Sequence, residues 1–190
     1  MKPPKLKKID EKKYVRPQLE RGYAGQTLHI DIMKTNGRKI EIEPVTEQMK
    51  QIFTGGKGFD LCMLWNILRP FKKWNRIGWG YTINAICVAS GPLGGFTTCP
   101  GAGKSIVTAI SPLTGSVMDS NVGGHFGPFL KFSGFDSLCV EGKSKKKIVI
   151  FIDGKTETIQ VLEATNLPKD AYKTSKILTE HFGEGKSRDI

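Results

Sequence analysis

The chain has 190 residues, 38% of them hydrophobic and 25% charged, with 29 Lys and Arg against 18 Asp and Glu and a formal net charge of +11. This length accommodates one domain or a compact pair around a real core, and the composition excludes a disordered or low-complexity polypeptide. No apolar run approaches the ~20 residues that cross a bilayer and the first residues lack the apolar core of a secretion signal, so the expected compartment is the cytoplasm.

The first 22 residues carry Lys2, Lys5, Lys7, Lys8, Lys12, Lys13, Arg16 and Arg21 against Asp10, Glu11 and Glu20. They read as a solvated basic arm, or else as a docking segment for an acidic partner. Nucleic acid is not indicated, because no recognition motif is present and the aromatic residues do not interleave with the basic ones. After the arm, LHIDIM (28–33) and KIEIEP (39–44) alternate apolar and polar residues around Thr35-Asn36-Gly37, a hairpin signal. Thr46 is placed to cap a short helix that stops at Gly55-Gly56. A second helix from about Gly58 puts Leu61, Leu64, Trp65 and Leu68 on one face and ends at Pro70. Residues 70–82 read as an irregular connection.

Apolar runs at Ala85–Ser90, Ser105–Ile110 and Ser137–Glu141 predict buried strands. A second hairpin is predicted where KIVIFI (147–152) and residues 156–162 flank Asp153-Gly154, and a last helix over Asp170–Phe182 with Gly183 as its stop. The four cysteines, Cys62, Cys87, Cys99 and Cys139, contain no CxxC pair and read as free thiols, with a disulfide or a ligand role completed by another chain as the alternatives.

The centre of the chain, Ser90–Gly142, holds 11 of the 22 glycines, and between Ile77 and Leu130 the only formal charges are Lys104 and Asp119. Such a segment belongs inside a larger assembly or against a ligand. Gly103-Lys104-Ser105 ends like a P-loop, but Thr98 stands where the first glycine belongs and a β-branched run follows where a helix is needed. No GxGxxG with a downstream acid follows a strand either. What remains is Lys104 at the start of a strand, with Asn121-Val122-Gly123-Gly124-His125 leading into a helix through residues 130–132: a backbone anion site for a phosphate-bearing cofactor. A glycine-rich turn before a core helix, with Lys104 snorkelling to the surface, fits the same residue types.

GPLGG (91–95), PGAGKSIVTAISPLTG (100–115) and DSNVGGHFGPFLKFSGFDSLCVEGK (119–143) resemble the N-terminal domain of the tungsten-dependent aldehyde:ferredoxin oxidoreductases. The likeness extends over roughly residues 22–185, from GYAGQTLHIDI through TGGKGFD to the IVIFIDG hairpin. It implies an α+β fold in which sheets with hairpins and a few helices form a cofactor-binding base over residues 23–190, with residues 1–22 outside it and the domain incomplete at its C-terminal end. It also implies a tungsten or molybdenum bis-pterin with a bridging magnesium ion. By resemblance Lys104, Val122, Gly123, Gly124 and His125 lie at the pterin, and the main-chain oxygen of Asn121 meets the magnesium. His125 stands where an aromatic residue often occurs, Asp119 reads as orienting the loop, and Pro128 would fit only in the first turn of the following helix. The usual Pro-Glu-Asn turn is missing from 72–82.

The implied reaction is the two-electron oxidation of aldehydes to carboxylic acids, with electrons passing through a [4Fe-4S] cluster to ferredoxin. The cluster ligands have no counterpart in this chain, which implies further domains or a partner subunit, and a homo-oligomer is compatible. The alternative is a non-catalytic assembly module derived from the same domain.

Overall fold

A computed structural model describes residues 4–33, 39–70 and 84–183. Nine strands and four helices are present among them: β1 (Lys5–Lys13), β2 (Gln26–Asp31), β3 (Lys39–Pro44), α1 (Glu47–Phe53), α2 (Lys57–Leu68), β4 (Ala85–Ser90), β5 (Ser105–Ile110), β6 (Val117–Val122), α3 (Phe126–Phe132), β7 (Ser137–Glu141), β8 (Ile148–Asp153), β9 (Thr158–Thr165) and α4 (Ala171–Phe182). The strands form a six-stranded sheet ordered β3-β2-β7-β4-β5-β6 and a three-stranded sheet ordered β1-β9-β8. The class is α+β. Only β2 and β7 run parallel, and every other neighbouring pair is antiparallel.

Strand alternation builds three layers. Leu28, Ile30 and Leu138 face the three-stranded sheet and its buried Ile159 and Val161, forming one core with Tyr14 and Phe135. Cys139, next to Leu138, points to the other face and joins Cys87, Ala85 and Ile110 under Leu64 and Leu68 of α2. Cys87 and Cys139 lie directly opposite in the β4–β7 register, fully buried, and are joined as a disulfide, whereas Cys62 and Cys99 are free. This corrects the reading of four free thiols: a sequence separation of 52 hid a pairing that sheet register creates.

Locally encoded elements form where the residues predict them. The Thr46 side chain accepts from the Met49 amide, and Asp170 caps α4 by accepting from the Lys173 amide. The β8–β9 turn spans residues 154–157, held by Asp153 Oδ1, which accepts from the amides of Lys155 (2.8 Å) and Thr156 (3.2 Å). The Thr35-Asn36-Gly37 turn and most of the 70–82 connection lie outside the described residues.

Three expectations change. The basic segment contains β1, which pairs with β9 from Lys5↔Thr165 to Lys13↔Thr158; Leu6 and Ile9, three apart with a register irregularity between Lys8 and Asp10, are partly buried, which lysine-counting overlooks. Trp65 is 51% exposed; the buried face of α2 is formed by Phe59, Asp60, Leu64 and Leu68. Residues 117–122, not foreseen as a strand, form β6 at the sheet edge, where VMDSNV is exposed except at Val122.

Candidate functional site

The residues singled out in the centre of the chain are brought together by the β5–β6 hairpin. Ser105 is opposite Val122 and Ile106 opposite Asn121, so Lys104, one residue before β5, stands beside Gly123, one residue after β6. A Cβ on Gly103 would come within 2.8 Å of the Gly124 carbonyl oxygen, and one on Gly127 within 3.1 Å of Ser105 Cβ. Gly124 has φ +89°, which a side chain would strain. Thus two glycine turns and the start of α3 meet at one point.

Asn121, Gly123, Gly124, His125 and Lys104 are all exposed, with Val122 partly buried. A Cβ on Gly123 or Gly124 would meet nothing within 4 Å, so the main chain there is open to a close-lying molecule. Their amides donate to no backbone carbonyl among the described residues. Asn121 and Val122 belong to β6 itself, which shortens the expected loop to Gly123-Gly124-His125. His125 is the residue before α3, with no side-chain capping bond, and its ring tilts against Phe129 at 5.9 Å. Pro128 is the third residue of α3, hence within the first turn that tolerates it. With only seven residues, α3 adds little dipole; the anion reading rests on Lys104 and the free loop backbone. Asp119 makes an ion pair of 2.6 Å with Lys57 at the start of α2, not with the glycine loop itself.

Around this point the surface is apolar and nearly uncharged. Leu93, Phe96, Phe126, Phe129 and Phe132 are each between 44% and 58% exposed. Scattered exposed apolar side chains are ordinary, but a cluster on adjacent elements marks a contact surface.

Sequence reading missed the group that carries the loops. Lys131, 1% exposed, donates to the carbonyls of Gly22 and Gly91, both at 2.7 Å, and pairs with Asp136 Oδ1 at 3.2 Å. All three ammonium protons therefore have acceptors. Asp136 in turn accepts from the amides of Ala24 (3.0 Å) and Gly25 (2.7 Å). Burial lowers the Lys131 pKa, and the carboxylate beside it pulls the other way. The only signal was a lysine inside the aromatic run FGPFLKF with an acid five residues on.

A second buried acid, Asp60 on α2, accepts from Ser137 Oγ at 3.2 Å and Thr108 Oγ1 at 3.5 Å. Burial drives its pKa up to about 8 against the pull of these bonds and the Ala89 amide. At the far end of the large sheet, His29 lies between Glu141 (3.0 Å) and Glu41 (3.5 Å), and its pKa is raised, chiefly by the hydrogen bond to Glu141. Among the described residues, no three His, Cys, Asp or Glu side chains converge as a metal site.

This open glycine loop thus lies on a sheet-built base of α+β class. Residues 27–189 match the family described as aldehyde ferredoxin oxidoreductase, N-terminal domain, and the chain belongs to that family. It is 31% identical over 164 residues to the tungsten-containing aldehyde ferredoxin oxidoreductase of Pyrococcus horikoshii, covering 86% of this chain and 25% of that protein. The corresponding Pyrococcus furiosus enzyme is 32% identical over 148 residues, covering 77% and 23%. An aliphatic sulfonate oxidoreductase, WOR-like subunit, of the same organism is 29% identical over 143 residues, covering 75% and 21%. The chain thus spans about a quarter of the length of the curated relatives it matches. Among solved structures, the active site complex BamBC of benzoyl coenzyme A reductase with 1,5 dienoyl-CoA superposes with a TM-score of 0.75 at 26% identity, over 87% of this chain and 24% of that one.

Proposed function

We propose that this chain is the pterin-bearing N-terminal part of a tungsten (or molybdenum) oxidoreductase that converts aldehydes to carboxylic acids in the cytoplasm and passes the electrons to ferredoxin. The observation that carries this reading is the meeting of Lys104 with the side-chain-free main chain of Gly123-Gly124, at a hairpin whose one other formal charge, Asp119, is already paired with Lys57. A flat, phosphate-bearing cofactor fits there: Gly123 and Gly124 let it approach the backbone, and Lys104 offers a point charge to a phosphate. The main-chain oxygen of Asn121 would contact a magnesium ion bound with the cofactor, and His125 with Phe129 borders the loop. When bound, the metal and its dithiolenes supply the two-electron redox chemistry; this chain positions the group and excludes water from one side.

The cluster ligands and the substrate cavity belong to other domains or to a partner subunit. The exposed apolar surface around Phe96, Phe126 and Phe129 supports such a cover, as does the share of the relatives that this chain leaves unmatched.

The test is metal and pterin content of the anaerobically purified, assembled protein. Lys104→Ala is expected to lower cofactor occupancy several-fold, and Gly124→Val to abolish it. Asn121→Ala should retain it, because only the main-chain oxygen is used. Full tungsten and pterin content in Gly124→Val, or their absence from the unsubstituted assembly, would refute the assignment.

A further inference from the structure

An open groove lies beside the core that the two sheets share. Ile9, Ile32 and Ile148 pack against that core while remaining partly exposed, and with Met33 they floor the groove, of about 310 Å³. The rim is the β7–β8 loop, with Lys143, Ser144, Lys145 and Lys146, faced by Glu163 of β9. None of these residues belongs to the glycine-rich loops above.

The groove is held in shape from several sides. Gly142, with φ +98°, lets Met33 lie across it: a Cβ there would come within 2.3 Å of Met33 Cγ. The amide of Ile32 donates to the Glu141 carbonyl and that of Met33 to Asp31 Oδ1, at 2.9 and 2.8 Å. On the rim, Lys147 Nζ donates to the Leu167 carbonyl at 2.8 Å.

Charge on the rim is unbalanced. The groove's single carboxylate, Glu163, is already engaged by Lys146 at 2.7 Å. Lys143 and Lys145 make no ion pair among the described residues. Lys7 lies opposite Glu163 in the β1–β9 register, a further ammonium beside the same carboxylate.

Magnitudes decide what such a groove can hold. An exposed lysine attracts a bare anion by only about 0–1 kcal/mol, which salt screens further. Burying apolar surface contributes roughly 25 cal/mol per Å², so a short alkyl or aryl tail laid on the isoleucines supplies the larger share. Neither part suffices alone. We propose that this groove binds a small amphiphilic anion, its apolar tail on Ile9, Ile32, Met33 and Ile148 and its carboxylate or phosphate head at Lys143 and Lys145.

Octanoate and octyl phosphate are the probes, with octanol and acetate as controls, titrated into the full chain carrying ¹³C-methyl methionine and followed by NMR and calorimetry. Met33→Leu assigns the Met33 signal. Saturable movement of that methyl by either amphiphile, with a Kd of about 1 mM or below and at least about tenfold weaker binding of both controls, is the expected result. Lys143→Gln combined with Lys145→Gln should weaken binding about five- to tenfold while leaving the melting temperature unchanged. Equal binding of octanol would reduce the site to an apolar crevice, and equal binding of acetate to a loose lysine cluster. Either result, movement of the Met118 methyl in place of Met33, or no saturation by about 10 mM overturns the proposal.

Discussion

Lys131 and Lys104 stand at opposite extremes of how a protein uses the same side chain. Lys131 is buried with all three protons matched to acceptors and holds the Gly22 and Gly91 loops against Asp136. Lys104 is exposed beside an open glycine loop on a face with almost no other charge. A buried charge must be paid for by complete pairing, so its partners tell what it holds together. An exposed charge in an uncharged setting costs nothing structurally, which leaves it available to a ligand. The difference separates residues that shape the site from residues that would serve it.

The largest test of that division is Lys131→Met, which strands Asp136 without its counter-charge in the interior. A loss of about 3–5 kcal/mol in urea unfolding is expected. Adding Asp136→Asn should cost much less than the sum of the two single changes, and strict additivity would show that the pair is not coupled. Next in size is Gly22→Ala in the loop that Lys131 holds. Its φ of +83° and a Cβ 2.2 Å from the Pro92 carbonyl oxygen predict a loss of about 2–3 kcal/mol by the same measurement.

Asp60 extends the comparison to a buried group without a cation. Its folded pKa of about 8 exceeds the ordinary carboxylate value of 3.8, so the folded state holds a proton that the unfolded chain has released. Stability from the protonated form is complete below that ordinary value and is lost as pH rises to about 8, flattening above. Asp60→Asn should remove on the order of 2 kcal/mol of this slope between pH 5 and 8, read from unfolding midpoints across the range. An unchanged pH profile would mean that the carboxyl is ionised in place. The smallest effect belongs to Lys104→Met, expected to stay within about 0.5 kcal/mol of the parent. A larger loss would make Lys104 structural and erase the contrast.

What sequence pattern conveyed was whatever is decided within a few residues: the cap at Thr46, the last helix, the two hairpins, and the apolar runs of β4, β5 and β7. The closeness of Lys104 to Gly123-Gly124 followed from the family motifs, and the hairpin register supplies its geometry. The remainder depends on distant partners. VMDSNV has no apolar alternation because both faces of β6 are open, so periodicity had nothing to register. Lys131 looks like any surface lysine until Gly22, Gly91 and Asp136 surround it, and Cys87 meets Cys139 only through the sheet. β1 was disguised by its lysines, since an edge strand can carry charge outward and still pair fully along its other side.

That strand also has a consequence for the order of folding. Lys5 pairs with Thr165, 160 residues later, while β8 and β9 are joined by a four-residue turn. During synthesis the β8–β9 hairpin can close as soon as it emerges, but β1 must wait for a partner 160 residues further along. Until then its lysines keep the early segment soluble and poorly matched to other strand edges. Completing the small sheet therefore requires the return of β1 after β9 has been made.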